Sequence, residues 1–213
     1  MTKILPRRSP RSVLFVAATV VLLALLLWST LLPGTTSAKV PRPTVTAVSP
    51  NAGPTCWGPI VTITGTNFIG ASCVRIGTLN VYHFKVISST KIKIKMPPQS
   101  VGTRDVQVTT RHGGRSLVNK HDRYTYLIRP KVTGLSSHSG SIKGGKRIII
   151  YGSHFTGATS VRFGLVTTSH FSVLSSTKIR VTVPAQAAGT HDVEVSTAGG
   201  RSRPNKYDKY TYK

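Results

Sequence analysis

Short segments in which apolar and polar residues alternate recur along the chain after residue 39. Residues 61–64 (Val-Thr-Ile-Thr) and residues 91–96 (Lys-Ile-Lys-Ile-Lys-Met) alternate with a period of two, as do residues 104–108 and 180–183. Clusters of Gly, Pro, Asn and Ser separate these segments. Such a pattern is typical of half-buried strands in an antiparallel sandwich or barrel. Because no segment here has a helical period, the pattern predicts an all-β fold.

The start of the chain has a different pattern. Four basic residues precede an apolar run from Val13 to Leu32, which is typical of an export signal whose basic end stays in the cytoplasm. The length of the run predicts an uncleaved, single-pass hydrophobic helix, whereas residues 36–38 offer a cleavage site for a signal peptide. Residues 1–38 are thus a membrane anchor or a signal peptide cleaved near Ala38. Either alternative places the rest of the protein outside the cytoplasm.

The rest of the chain contains the same unit twice. Residues 43–46 (Pro-Thr-Val-Thr) match residues 130–133, and the same offset of 87 residues pairs residues 88–92 with residues 175–179. A match that holds register over a whole unit indicates duplication of a complete domain. The repeat predicts a linker at residues 39–42, a first domain at 43–127 and a second domain at 128–213.

Both units also resemble a known family. In the first unit, the resemblance is carried by residues 61–68 (Val-Thr-Ile-Thr-Gly-Thr-Asn-Phe), residues 74–77 (Val-Arg-Ile-Gly) and the pair Gly113-Gly114. In the second unit it is carried by residues that include Gly152 and Phe155. The units resemble the IPT/TIG domain, an immunoglobulin-like β-sandwich found in plexin-type receptors, some transcription factors and many exported bacterial proteins. The resemblance implies two tandem immunoglobulin-like sandwiches but no particular ligand, because one scaffold hosts many functions.

The only two cysteines, Cys56 and Cys73, both fall in the first unit, and the second unit has Lys143 and Ser160 at the equivalent positions. The first unit therefore has both cysteines and the second unit has neither. In an oxidising, exported setting this predicts one disulfide within the first domain. The alternative is a catalytic or metal-binding pair of thiols, to which the spacing is poorly suited.

Acidic residues are too scarce for most carboxylate chemistry. The chain has 5 Asp and Glu, and Asp105 and Asp122 of the first unit are matched by Asp192 and Asp208 of the second. Acids repeated in both copies of a duplicated fold more often hold turns or strand edges than perform chemistry. No nucleophile elbow, zinc-protease motif or phosphate-binding loop is present. We therefore expect no enzyme activity, no catalytic or metal-binding residue and no cofactor.

The basic residues are numerous and evenly spread. Lys and Arg number 29, for a formal net charge of +24, and residues 43–129 and 130–213 each have a net charge of +9. If the apolar residues of 91–96 face a core, the lysines between them share the outer face of one strand. The second unit repeats the start of this row. The candidate anion-binding residues are Lys91, Lys93, Lys95, Lys178 and Arg180.

Two functions remain open for this basic, exported protein. One is a cell-surface binding or adhesion module that engages an anionic partner such as a wall polymer, acidic lipid headgroups or extracellular nucleic acid. The other is a structural spacer or accessory protein that contacts a protein partner, with the charge serving only solubility. Regulatory DNA binding is not expected, because the basic loops lack interleaved aromatic residues and export separates the protein from the genome.

Overall fold

The structure, a computed structural model, describes residues 39–56 and 58–213. These residues form strands joined by turns and loops. Among the residues so described there is no helix with the length and hydrophobicity needed to cross a membrane. The N-terminal hydrophobic helix predicted from the sequence, as an anchor or signal peptide over residues 1–38, lies outside the described residues.

Domain 1 (residues 43–127) is a sandwich of two sheets. One sheet has four antiparallel strands in the order β1-β3-β7-β6, and the other has the order β2-β10-β8-β4-β5, with β9 paired to β8. All pairs are antiparallel except β2 with β10. The strands are β1 (Thr44–Ser49), β2 (Ala52–Pro54), β3 (Ile60–Thr66), β4 (Ala71–Ile76), β5 (Leu79–Val81), β6 (Lys85–Ser88), β7 (Lys91–Lys95), β8 (Gly102–Thr110), β9 (Gly114–Arg115) and β10 (Arg123–Leu127).

Domain 2 (residues 128–213) repeats this topology strand for strand. Its four-stranded sheet has the order β11-β13-β17-β16, and its other sheet has the order β12-β20-β18-β14-β15, with β19 paired to β18. The predicted all-β fold of two tandem sandwiches is therefore confirmed. The strands are β11 (Lys131–Leu135), β12 (Ser139–Gly140), β13 (Arg147–Ser153), β14 (Ser160–Phe163), β15 (Val166–Thr168), β16 (Phe171–Ser175), β17 (Lys178–Thr182), β18 (Gly189–Thr197), β19 (Gly200–Arg201) and β20 (Lys209–Tyr212).

Each sandwich encloses a hydrophobic core of its own. Alternate residues of the four-stranded sheet point inward and pack against alternate residues of the other sheet, as the period of two requires. Because each core is formed by residues of its own domain, residues 39–213 contain both hydrophobic cores. The largest side chains of the first core are Phe68, Tyr124 and Tyr126, and those of the second are Phe155, Phe163, Tyr210 and Tyr212.

A buried aspartate fixes the loop before the last strand in each domain. Asp122 is fully buried, and its Oδ2 accepts a hydrogen bond of 2.8 Å from the backbone N–H of Asn119. The side-chain amide of Asn119 donates to the carbonyl of Val45 on β1 at 2.9 Å, so the loop is tied to the opposite sheet. Asn205 and Asp208 repeat these bonds in domain 2. Burial raises the pKa of both aspartates, and the expectation that they hold turns is confirmed.

A short link, residues 127–129, spans the boundary between the domains and is in contact with both of them. From the link, Arg129 donates a hydrogen bond of 3.1 Å from Nη2 to the Sγ of Cys56 in domain 1. On the side of domain 2, the backbone of Gly199 lies so close to the carbonyl of Ile128 that a Cβ at this position would overlap with it. These contacts restrain the link at both of its ends.

The predicted disulfide between Cys56 and Cys73 is wrong: both thiols are free. Cys56 follows β2, and the last residue of β2 pairs with the end of β10. The same end of β10 lies beside Gly102, the first residue of β8. Cys73 pairs instead with Thr109, near the far end of β8. Gly102 and Thr109 are seven residues apart along β8, which corresponds to about 23 Å. The Cα atoms of bridged cysteines are only about 4–7 Å apart.

We expect a maleimide to label both cysteines of the folded protein in the absence of reductant. Both thiols are partly exposed and neither is bridged. The measurement is the mass increase of the intact protein, with Cys56→Ser and Cys73→Ser each expected to lose one label. Labelling that appears only after reduction would contradict the structure.

One pair of equivalent positions, one in each domain, has room only for glycine. Gly65 in β3 and Gly152 in β13 lie against the carbonyl oxygens of Thr44 and Lys131, and an added Cβ would overlap with these oxygens. In each case the ring of a buried phenylalanine closes the remaining space. Because the overlap is with backbone, rotation of a side chain does not relieve it.

We expect Gly65→Ala and Gly152→Ala each to lower the free energy of unfolding by about 2 kcal/mol or more, because the two strands of each pair must move apart. The matched control is Gly134→Ala in β11. Nothing lies within 4 Å of the added Cβ there, and domain 1 already has Ala47 at the equivalent position. Urea denaturation gives the free energies, and equal losses for all three variants would contradict this account.

Candidate anion-binding faces

The three lysines of β7 lie on the outward face of domain 1. Lys91, Lys93 and Lys95 are exposed, whereas Ile92 and Ile94 between them are buried. Strand β7 lies between β3 and β6, so the lysines lie in the middle of the four-stranded sheet. The alternation of apolar and basic residues in residues 91–96 is what positions them.

The equivalent strand of domain 2 places Lys178 and Arg180 in the same way. Both are exposed, and the alternate residues Ile179 and Val181 are buried. The structure thus brings the five predicted residues onto two equivalent surfaces, one in each domain. We define the candidate faces as the outward sides of the sheets β1-β3-β7-β6 and β11-β13-β17-β16.

Neighbouring strands add polar and basic side chains to the face of domain 1. Lys85 of β6 pairs directly with Lys93. On the other side of β7, Thr62 and Thr64 of β3 pair with Lys93 and Lys91. The face therefore has a central row of ammonium groups, a row of hydroxyl groups on one side and a further lysine on the other.

The face of domain 2 has a different chemistry on the same backbone. On β13, Arg147 and Tyr151 are exposed and Ile149 is half-buried. Ile149 pairs with Arg180, and Tyr151 pairs with Lys178, whose Nζ lies 5.9 Å from the centroid of the tyrosine ring. Here guanidinium groups and an aromatic ring occupy positions that hold lysine, isoleucine and threonine in domain 1.

The acidic residues lie away from both candidate faces. In the part of the chain that the structure describes, none of them lies on a strand of either four-stranded sheet. Two, Asp122 and Asp208, are buried in loops, and the other three lie on β8 and β18 of the second sheets. The distribution leaves both candidate faces positively charged.

The acids of the second sheets have basic partners on the same sheets. Arg162 contacts Glu194 at 2.6 Å between Nη2 and Oε2, and Arg201 is 3.9 Å from the same oxygen. Lys209 is bonded to Asp192, and this hydrogen bond raises the pKa of the lysine. In domain 1, Arg123 lies 3.8 Å from Asp105. The acids on β8 and β18 thus lie beside basic residues of their own sheets.

Three residues of these faces, Lys85, Arg147 and Tyr151, are not indicated by the pattern of the sequence. No local pattern places Lys85 opposite Lys93, because the pairing depends on the register between β6 and β7. Arg147 and Tyr151 flank three consecutive isoleucines, which hide the period of two. The offset of 87 residues could have located them, since it aligns residues 147–151 with residues 60–64, where the alternation is clear.

The described residues, 39–56 and 58–213, contain no group of three or more His, Cys, Asp or Glu side chains arranged to hold a metal ion. The chemistry available on the candidate faces is that of ammonium, guanidinium, hydroxyl and aromatic groups. Such surfaces bind anions by charge and hydrogen bonding.

Known structures share the architecture of the chain. Two structures of the extracellular region of plexin A4 each align with 84% of the chain at 20% identity, with TM-scores of 0.54 and 0.51. The chain spans 16% and 19% of those plexin chains, respectively. At this identity the likeness concerns the fold alone.

A third structure is SGBP-B from a complex xyloglucan utilization locus in Bacteroides uniformis. It is 19% identical and aligns with 78% of the chain and 49% of its own, but a TM-score of 0.35 is too low to support an argument. No curated protein sequence matches the chain. The model of the IPT/TIG domain matches residues 43–126 and again residues 130–212. The chain therefore belongs to the IPT/TIG domain family and has two tandem copies of the domain.

Proposed function

We propose that the protein is a non-enzymatic, extracytoplasmic binding or adhesion module that engages anionic surface polymers through its two candidate faces. One observation carries the proposal: the acids are confined to buried loops and to the second sheets, while the candidate faces carry lysine and arginine in both domains. The basic segment and apolar run before residue 39 support the location.

The pairing of Lys85 with Lys93 gives further support. Like charges directly opposite each other destabilise an antiparallel pair of strands. Solubility requires a net charge but no such pair, because the same charge can be spread over loops. A cost to stability on a face whose strands carry no acidic residue favours use of that face in binding.

The second candidate function is a structural spacer that contacts a protein partner. The observation that favours it is the link between the domains, where Arg129 bonds to Cys56 and Gly199 packs against Ile128. Such contacts suit a stiff connection. The two functions differ in salt dependence, since counterion release makes binding to a polyanion fall steeply with salt, whereas an apolar protein contact is much less sensitive.

The test of the proposed function is binding of residues 39–213, which contain both cores, to polyphosphate and to acidic liposomes from about 50 to 200 mM salt. We expect saturable binding that weakens as salt rises. Replacement of the predicted cations by Gln is expected to weaken it about tenfold or more and to reduce the salt slope. The residues replaced are Lys91, Lys93, Lys95, Lys178 and Arg180.

A matched variant loses the same formal charge from exposed loops instead of the faces. Its binding is expected to stay much closer to that of the unchanged protein. If binding weakens equally in the two variants, the charge acts as a general property of the surface and not through the candidate faces. Absence of binding would contradict the proposal. The loop residues replaced by Gln are Arg111, Lys120, Lys143, Lys206 and Lys213.

We expect Lys85→Glu to stabilise domain 1 while it weakens binding to polyphosphate. The new carboxylate faces Lys93 across the strand pair and replaces repulsion by attraction, for a gain of about 0.5 kcal/mol at low salt. Urea denaturation at low and high salt measures the gain, with Lys85→Gln as the intermediate control. A variant that is less stable than the unchanged protein at low salt would contradict this account.

A further inference from the structure

A polar cavity opens on the candidate face of domain 2. Its volume is about 370 Å³, and its walls include Arg147, His170, Ser172, Arg180 and Thr182. This volume lies within the range typical of small-ligand sites. The cavity therefore offers a defined place for part of a polymer, beyond a general attraction to the face.

The register of three strands brings the two arginines to this cavity. Arg147 of β13 pairs with Thr182 of β17, and Arg180 lies two residues before Thr182. Arg147 and Arg180 are thus diagonal neighbours, about 7–8 Å apart at Cα. On the other side of β17, Ser172 of β16 pairs with Arg180. Two guanidinium groups and a hydroxyl group accordingly border one small volume.

Both guanidinium groups are available to a ligand. Within residues 39–56 and 58–213, the acidic side chains pair with Arg123, Arg162, Arg201 and Lys209, and none forms an ion pair with Arg147 or Arg180. A guanidinium group presents its N–H donors in a planar fork that fits a carboxylate with two parallel hydrogen bonds. The cavity is therefore suited to a carboxylate.

An apolar strip lies beside the cavity on the same face. Tyr151 is 39% exposed, and Ile149 lies between it and Arg147 along β13. Together they offer an aromatic ring and an aliphatic surface next to the two arginines. A polyphosphate chain has no apolar surface to place there, whereas a pyranose ring has C–H groups that pack on an aromatic ring and hydroxyl groups that bond to Ser172 and Thr182.

We propose that this cavity and Tyr151 bind a carboxylate-bearing sugar, so that the anionic partner of domain 2 is a uronic-acid polysaccharide. The inference rests on the proposed function, because it specifies the class of polymer that the positively charged face engages. The carboxylate of one sugar lies between Arg147 and Arg180, and a neighbouring ring of the same polymer packs on Tyr151. Domain 1 lacks these groups, since the equivalent positions hold Ile60, Thr64 and Lys93.

The experiment compares three polymers on residues 39–213: polygalacturonate, dextran and polyphosphate. We expect polygalacturonate to bind more tightly than polyphosphate at equal concentration of negative charge, and dextran not to bind measurably. Binding of both polyanions with no preference for the sugar acid would overturn this inference and leave the proposed function standing. Binding of neither polyanion would overturn both.

Two single substitutions locate the site. Arg180→Lys and Tyr151→Thr each install the residue that domain 1 has at the equivalent position, so both are compatible with the fold. Each is expected to weaken polygalacturonate binding about tenfold, because the lysine keeps the charge but loses the planar fork and the threonine loses the ring. Neither is expected to change polyphosphate binding more than about twofold, because the net charge is preserved.

The matched control is Lys93→Arg in domain 1, which introduces a guanidinium group at the position equivalent to Arg180 without the cavity or the tyrosine. It is expected to leave the binding of both polymers unchanged within about twofold. If Arg180→Lys and Tyr151→Thr leave polygalacturonate binding unchanged, or weaken both polyanions equally, the assignment of the cavity is wrong. Far-UV circular dichroism confirms that each variant is folded.

Discussion

The outward direction of the basic side chains depends on the burial of the apolar residues that alternate with them. Ile92 and Ile94 are fixed in the core of domain 1, and strand geometry then turns Lys91, Lys93 and Lys95 to the solvent. A slip of one residue would bury three ammonium groups and expose the isoleucines, so the core specifies a single register. The hydrophobic core therefore also determines where the charge lies.

The duplication separates what the fold requires from what it leaves free. Both domains have a glycine packed against a backbone carbonyl (Gly65 and Gly152). Both also have a buried aspartate that accepts a hydrogen bond from the backbone N–H of an asparagine three residues before it (Asp122 and Asp208). Each of these residues makes a close contact that no other residue type makes equally well. The outward positions of the four-stranded sheets are under no such constraint. They differ between the domains, and there a shared scaffold can acquire a separate chemistry.

The architecture was predictable from the sequence because it depends on local periodicity and on the repeat. The alternation in residues 91–96 and the offset of 87 residues identify strands, domains and one row of lysines without knowledge of the pairing. Positions that depend on the pairing were not predictable. Cys56 and Cys73 are only 17 residues apart in sequence, but they lie at opposite ends of a sheet because β2 pairs with β10 and Cys73 with β8.

The same distinction explains why the lysines were found and the cavity was not. Lys91, Lys93 and Lys95 belong to one strand, so a single segment of sequence contains the whole row. Arg147, Ser172 and Arg180 come from three strands and meet only through the registers of β13, β17 and β16. A site assembled across strands leaves no contiguous trace, and its members are recognised only when the pairing is known.

The proposed functions of the two faces differ in the physical range over which they act. Lysine ammonium groups on an open sheet attract any polyanion, and salt screens this attraction over about 8–10 Å. A guanidinium pair beside an aromatic ring acts only at contact and distinguishes ligands by shape as well as charge. When both faces are on one chain, joined by a link that contacts both domains, each binding event raises the local concentration of polymer at the other face. Affinity and selectivity can then be divided between two copies of one fold.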